Sequence, residues 1–147
     1  MDLKQLVAND YDFWTTLQTR WNDMDSLGHV NHTAYLSYME TARVDIYCQI
    51  GFKGINKDTD KSTILAGMEV IYLAQLKHPS SLNIGHRIIR VGTKSYDLIS
   101  GVFRQPDNIL LCSAYFKLVS FNYKKNKTIL VPNRIKLNCR PLKSEYE

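Results

Sequence analysis

Cysteine is scarce and scattered in this chain. Cys48, Cys112 and Cys139 are the only three in 147 residues, and no Cys-x-x-Cys pair occurs. An odd count at wide spacing excludes a disulfide framework and a cysteine-rich zinc site, and reduced thiols fit a reducing compartment. Proline (four) and glycine (seven) are also few. No Pro-, Gly- or Ser-rich stretch divides the chain and no internal repeat is visible, so one domain spanning 1–147 is expected, with its core over about 13–135. No apolar run reaches the ~18 residues that span a bilayer. The first ten residues have no basic region ahead of an apolar stretch, so no signal peptide is read there. A cytoplasmic protein without membrane partners is expected. Acidic residues are outnumbered 14 to 19, for a net charge of +5. The excess sits late, at Lys117, Lys124, Lys125, Lys127, Arg134, Lys136, Arg140 and Lys143. It fits a solvated surface or a phosphate-bearing ligand; without a helix-turn-helix or RNA-binding signature, no nucleic-acid partner is expected.

What is present is periodicity. Phe13, Thr15, Leu17, Thr19 and Trp21 alternate with polar Gln18 and Arg20, the pattern of a half-buried strand. From Asn31 to Ile50 the period changes. Tyr35, Tyr38, Met39, Ala42, Ile46 and Ile50 recur at helical spacing, and Leu36, Val44 and Tyr47 widen the stripe, so a largely enclosed helix of about five turns is expected. Asn31 is the candidate N-cap and Gly51 the stop, with Gly54 and Asn56 to Lys61 as a loop. Cys48 and Cys112 read as core. Four strands follow, over about 63–73, 82–91, 95–104 and 109–122. Turns at Gly92-Thr-Lys94 and Gln105-Pro-Asp-Asn108 make tight hairpins of the last three. The last strand is apolar on both faces and therefore central or covered twice. Val131-Pro132-Asn133-Arg134 begins a short terminal turn or helix. One helix cannot bury itself, and a five-stranded antiparallel sheet has one face to bury. The pattern thus predicts an α+β fold with the sheet wrapped around the helix.

Chemistry concentrates between strand and helix, in Arg20-Trp-Asn-Asp23-Met-Asp25-Ser-Leu-Gly28-His29-Val30-Asn31-His32-Thr-Ala-Tyr35. Two carboxylates, a glycine turn, two imidazoles and a helix start lie within sixteen residues. Gly28 supplies a backbone conformation that lets the loop reach the helix. The helix start has unpaired N–H groups and a favourable dipole. Asp25-Ser-Leu-Gly28 is also a turn sequence in its own right. Glu40 and Arg43, about one helical turn apart, are expected to form an ion pair.

Asp23-x-Asp25-x-x-Gly28-His29-Val30-Asn31, followed by Tyr35, Tyr38, Glu40 and Ala42-Arg43, resembles the hotdog-fold acyl-CoA thioesterases of the 4-hydroxybenzoyl-CoA thioesterase type. Met68-Glu-Val-Ile-Tyr72, Arg90-Val-Gly-Thr-Lys94-Ser-Tyr96 and Val131-Pro132 are similar to later parts of the same family, in the same order. The resemblance covers roughly residues 13–135. It implies a five-stranded antiparallel sheet around one long central helix, and a homodimer, often a dimer of dimers, with active sites at the dimer interface.

The activity so implied is hydrolysis of an acyl-CoA thioester to a free acid and coenzyme A. Asp25 matches the family's catalytic carboxylate, acting as general base or as nucleophile. Asp23 matches a residue that orients the loop. The amide at His32 or Thr33 would polarise the thioester carbonyl. The His32 and Asn31 side chains are candidate catalytic contacts, against a first-turn residue and an N-cap. Gly28, Val30, Thr33, Tyr35 and Met68 are candidates for the substrate pocket. Arg90, Lys94 and Arg134 are candidates for coenzyme A phosphates, against ordinary surface charge. His29 and His32 would share a face with Asp25 only if both were helical. His29 precedes the helix and the family uses no metal, so neither metal nor cofactor is expected beyond the coenzyme A of the substrate. Two other readings stand beside hydrolysis. One is a non-catalytic hotdog protein that binds acyl-CoA or acyl carrier protein. The other is a hydroxyacyl-thioester dehydratase, whose chemistry centres on a histidine with an acidic partner.

Overall fold

In the computed structural model, residues 1–52 and 60–142 are described. The alternating segment forms β1 (Phe13–Gln18), and the segment of helical period forms α1 (His32–Gln49). Long strands follow: β2 (Ser62–Tyr72), β3 (Ser81–Val91), β4 (Ser95–Gln105) and β5 (Ile109–Asn122). A two-residue β6 (Lys127–Thr128) and a short α2 (Asn133–Leu137) complete the order. All strand pairs are antiparallel, in the sheet order β1-β3-β4-β5-β2, with β6 added to β5. The helix lies against one face of the sheet, as the pattern predicts.

Met39, Ala42 and Ile46 of α1 are completely buried against Leu82, Ile84, Ile88 and Leu98. Asn31 caps the helix: its side chain accepts from the Thr33 N–H at 3.0 Å, a contact of the kind worth about 1 kcal/mol. The chain leaves the helix through Gly51, whose N–H donates to the Cys48 carbonyl. The expected loop residues Gly54 and 56–59 lie outside the described residues, as do Lys143, Glu145 and Glu147.

The two faces of β4 and β5 are apolar because both are covered. Tyr96, Leu98, Phe116 and Leu118 face α1, whereas Ile99 and Phe103 meet Leu3, Leu6 and Tyr11 of the N-terminal segment on the other side. Gly85 and Gly101 are cross-strand partners beneath the Tyr11 ring. A Cβ at Gly101 would stand 2.5 Å from the Tyr11 hydroxyl oxygen.

Four expectations are corrected. Trp21 is 76% exposed rather than part of the buried face of the first strand. The chain has already turned, with the Asp23 N–H bonded to the Arg20 carbonyl and the Asp23 carboxylate to the Arg20 N–H. Cys48 is exposed, because it lies on the open side of α1. That helix is enclosed on one flank only: Thr33, Ser37, Glu40 and Thr41 face outward and Leu36 and Val44 are half-buried. Glu40 and Arg43 form no ion pair among the described residues, and the Arg43 guanidinium lies 5.0 Å over the Phe116 ring instead.

Candidate active site

The loop between β1 and α1 is held from inside by Asp23. Its carboxylate is buried and accepts from the Tyr38 hydroxyl (2.6 Å), the Arg20 N–H (2.9 Å) and the Arg20 guanidinium (3.1 Å). Burial alone would raise its pKa. The bonds from Tyr38 and Arg20 outweigh that and hold the carboxyl below its usual value. Its carbonyl accepts the Asn31 N–H at 2.7 Å. Asp23 therefore ties the loop to both the start and the second turn of α1.

Asp25 sits at the rim. Its Oδ1 accepts from the backbone N–H groups of Leu27 (2.9 Å) and His29 (3.2 Å), and its own N–H donates to the His29 carbonyl at 2.7 Å. The side chain is thus fixed through one oxygen, while Oδ2 has no hydrogen-bond partner among the described residues. The turn closes through Gly28, at φ 82, where a side chain would have open space but a strained backbone.

The chain then enters α1. The Thr33 N–H is taken by Asn31, and the Ala34 N–H bonds the Asn31 carbonyl. The N–H of His32, first residue of the helix, is left without a partner among the described residues, at the positive end of the helix dipole. The His32 ring is exposed, edge-on to Tyr72, whose hydroxyl donates to the His32 carbonyl at 3.0 Å. Tyr35 is buried between Tyr38 and Tyr72, and burial pushes its phenol up to about 12. The two ends of this loop thus leave a carboxylate oxygen of Asp25 and the N–H of His32 unbonded among the described residues, and a carboxylate and a free N–H are the kinds of group that attack on a carbonyl uses.

The family model of the thioesterase-like superfamily matches residues 19–138. The chain belongs to that superfamily. Among solved structures it is similar to the PA2801 protein of Pseudomonas aeruginosa (27% identity, 85% of this chain and 95% of that one, TM-score 0.76). It is also similar to a Thermus thermophilus thioesterase complexed with coenzyme A and Zn (25% identity, 88% and 98%, TM-score 0.76). Among curated proteins, YsmA of Bacillus subtilis (strain 168) is 26% identical over 88 residues, which is 60% of this chain and 58% of YsmA. The sheet curled around one helix is the hotdog fold of these thioesterase structures.

The remaining candidates of this thioesterase-like chain are not all gathered at the loop. Val30 contributes its backbone, with the N–H on the Leu76 carbonyl at 2.7 Å, while its side chain is core. Met68 is exposed on β2. Arg90 is bound to Asp97 through Nε (2.6 Å) and a terminal guanidinium nitrogen (3.0 Å). Lys94 is exposed at the β3–β4 turn, and Arg134 lies 5.8 Å over Phe52. Arg90 lies nine residues along β3 from Ser81, about 30 Å at strand rise. The loop end of the molecule is therefore remote from all three basic candidates within one protomer.

Beside the loop the structure shows an open cleft of about 620 Å³ that includes His29, Lys77, His78, Ser80 and Arg104. Lys77 and Arg104 carry no signal in the sequence, because they stand more than forty residues beyond the motif and have no spacing relation to it. No group of three or more His, Cys, Asp or Glu among the described residues is placed to hold a metal ion. No described helix is long and apolar enough to cross a membrane.

Proposed function

We propose that this protein hydrolyses acyl-CoA thioesters, with Asp25 as the reacting carboxylate and the His32 N–H as oxyanion donor. The observation that carries the reading is the division of labour within Asp25. Two backbone N–H groups fix Oδ1, while Oδ2, like the His32 N–H at the other end of the same loop, has no hydrogen-bond partner among the described residues. Oδ2 either takes a proton from water as the water oxygen bonds to the carbonyl carbon, or attacks that carbon directly. In both cases negative charge develops on the carbonyl oxygen. The C–S bond then breaks, and coenzyme A leaves as thiolate and takes up a proton; the general-base route frees the acid at once, whereas the nucleophilic route leaves an acyl–Asp25 anhydride that water cleaves to the acid and the regenerated carboxylate.

The oligomer is part of the proposal. β2 is bonded to β5 on one side only and forms an edge of the sheet. Leu65, Met68 and Tyr72 are exposed along it. A long apolar edge invites pairing, and a second copy paired antiparallel satisfies it by two-fold symmetry.

A panel of acyl-CoA esters with a thiol reagent tests the activity. Asp25→Asn is expected to lower kcat by about 10²–10⁴-fold. Undiminished turnover in that variant refutes the assignment. Single turnover in ¹⁸O-water tests the nucleophilic role, since label in Asp25 itself arises only when water cleaves an acyl–Asp25 anhydride at the Asp25 carbon. For the edge, Met68→Lys should shift the protein from dimer to monomer in sedimentation, and an unchanged dimer refutes the pairing through β2.

A further inference from the structure

The late basic excess of the sequence comes together at the end of the molecule opposite Asp25. Between residues 108 and 144 the chain has eight lysines and arginines and no carboxylate. Residues 123–126 turn β5 back into β6. The Ile129 N–H then bonds the Ser120 carbonyl, and the Val131 N–H bonds the Thr93 carbonyl at the β3–β4 turn. α2 follows at once. The β5–β6 turn, the β3–β4 turn and α2 therefore close one end, which β3 separates from the Asp25 loop by about 30 Å. Lys124, Lys125 and Lys127 of the hairpin and Lys136 of α2 are exposed there, and none pairs with a carboxylate among the described residues. The described carboxylates at this end are Asp97, buried on Arg90, and Asp60, exposed ahead of β2. The surface is thus positive with little at hand to neutralise it.

Apolar side chains stand out from the same end. Val131 and Ile135 point into the core. Leu130, beside Val131 in extended backbone, and Leu137, on the far side of α2 from Ile135, point away from it. Leu130 is 63% exposed and Leu137 84%. The Tyr123 ring lies edge-on to Phe121 and is exposed as well. A solvated charged face has no use for leucines, and neither has a face that only binds phosphates. Lysines interleaved with leucine and tyrosine are the composition of surfaces that lie on anionic lipid. There the ammonium groups meet the headgroup phosphates, and the apolar side chains enter the boundary with the acyl region. Charge separates this end from the Asp25 end. Trp21 and Leu27 are exposed there too, but Arg20 and Arg104 beside them are paired with Asp23 and Asp107.

We infer that this end docks on an anionic lipid surface, with Lys124, Lys125, Lys127 and Lys136 at the headgroup phosphates and Leu130 and Leu137 inserted beneath them. The contact is peripheral. The expectation of no membrane partner was drawn from the absence of a spanning run, which decides crossing and not lying at the interface. A lysine close to an anionic leaflet strengthens binding about fivefold, and a leucine that leaves water does so at least about tenfold. Four lysines and two leucines therefore give a reversible attachment that salt weakens. The inference rests neither on the thioesterase reading nor on pairing through β2, and it stands or falls without them.

Flotation of the full chain with lipid vesicles is the test. Vesicles of phosphatidylcholine with about one third phosphatidylglycerol should carry the protein at physiological ionic strength, and vesicles of phosphatidylcholine alone should not. Replacing the hairpin lysines together, Lys124→Gln, Lys125→Gln and Lys127→Gln, should lower the partition about a hundredfold. Leu130→Ser with Leu137→Ser leaves the charge unchanged and should lower it at least about tenfold. A parent that binds neither vesicle, or both alike, overturns the inference. Binding that follows the lysines but is unmoved by the leucines overturns insertion and leaves a purely electrostatic face. A short DNA duplex held more tightly than the anionic vesicles at the same salt, equally by parent and leucine variant, overturns lipid in favour of nucleic acid. Hydrogen exchange of the unaltered protein on anionic vesicles gives an answer that needs no variant to fold. Amides within 123–137 should gain protection and those of the Asp25 loop should not. Protection at the Asp25 loop instead, or at neither place, overturns the docking.

Discussion

Replacing His32 with proline removes the N–H of the first helical residue together with the exposed imidazole, and leaves the rest of the loop as it is. His32 is the first residue of α1, where the N–H has no intrahelical partner and proline is well tolerated. Asn31, which precedes it, already has φ −60 and ψ 139, the extended conformation that a following proline demands. The cap is preserved, because Asn31 accepts from Thr33 and not from His32. The tie from Tyr72 is preserved too, because it uses the His32 carbonyl. Stability should therefore change by under about 1 kcal/mol, whereas the oxyanion loses its donor. Removal of one such donor costs about 10²–10³-fold in kcat, or about 2.7–4 kcal/mol of transition-state stabilisation. His32→Ala separates side chain from backbone: it keeps the N–H and loses the imidazole. Steady-state kinetics of both variants, beside urea unfolding, make the comparison. If His32→Pro turns over like the parent, or if His32→Ala falls as far as His32→Pro, the helix N–H is not the donor.

Two further substitutions test the frame around that site. Tyr38→Phe deprives the buried Asp23 carboxylate of its shortest bond and should cost about 1.5–3 kcal/mol in denaturant unfolding. Asp23 has a lowered folded pKa, so its stabilisation is present above its unfolded value and lost as pH falls; the variant should show a smaller acid loss. Gly101→Ala drives a methyl into the Tyr11 ring on the outer face of the sheet and should cost about 1–3 kcal/mol. A double-mutant cycle with Tyr11→Ala should recover part of that loss, and strict additivity would show that the N-terminal segment does not rest there.

Much of this was legible in the sequence, for physical reasons. The change from period two to helical spacing at Asn31 marks a backbone that must bury one stripe, and the cap and stop residues bound it closely. The β4 and β5 sequences are apolar on both faces because one face meets α1 and the other the N-terminal segment. That segment itself gave no signal, since Leu3, Leu6 and Tyr11 have no periodicity. Trp21 and Cys48 depart from their periods because a period describes a continuing element buried along its whole face, whereas the strand ends at Gln18 and Cys48 falls on the flank of α1 that the sheet leaves open. At the site, the motif located Asp25, Gly28 and the helix start. It could not tell which N–H stays free, which follows from Asn31 taking Thr33. The hydrogen-bonded series Tyr47–Tyr96–Thr63 was beyond reach, because its members meet across three separate elements.

His86 is the residue whose surroundings the sequence least foretold, and it gives a pH test free of catalysis. It is fully buried in β3, and neither ring nitrogen has a hydrogen-bond partner among the described residues. Burial, aided by the charge of Arg43, lowers its pKa from 6.5 to about 3. The folded state therefore holds His86 neutral in a range where the unfolded chain takes up a proton. The stability this neutral state permits is fully present above pH 6.5 and declines as pH falls towards 3, at about 1.4 kcal/mol per unit. Between pH 7.5 and pH 4.5 the parent should lose about 2.5 kcal/mol from this group alone. Carboxylates with ordinary or lowered pKa contribute little over most of that span. His86→Leu removes the titration and two unpaired polar atoms from an apolar interior, so it should match or exceed the parent at pH 7.5. At pH 4.5 it should be the more stable by at least about 2 kcal/mol. Equal slopes of stability against pH in the two proteins would mean that His86 is solvated or partnered in the folded state, and that the core beneath α1 is wetter than its packing shows.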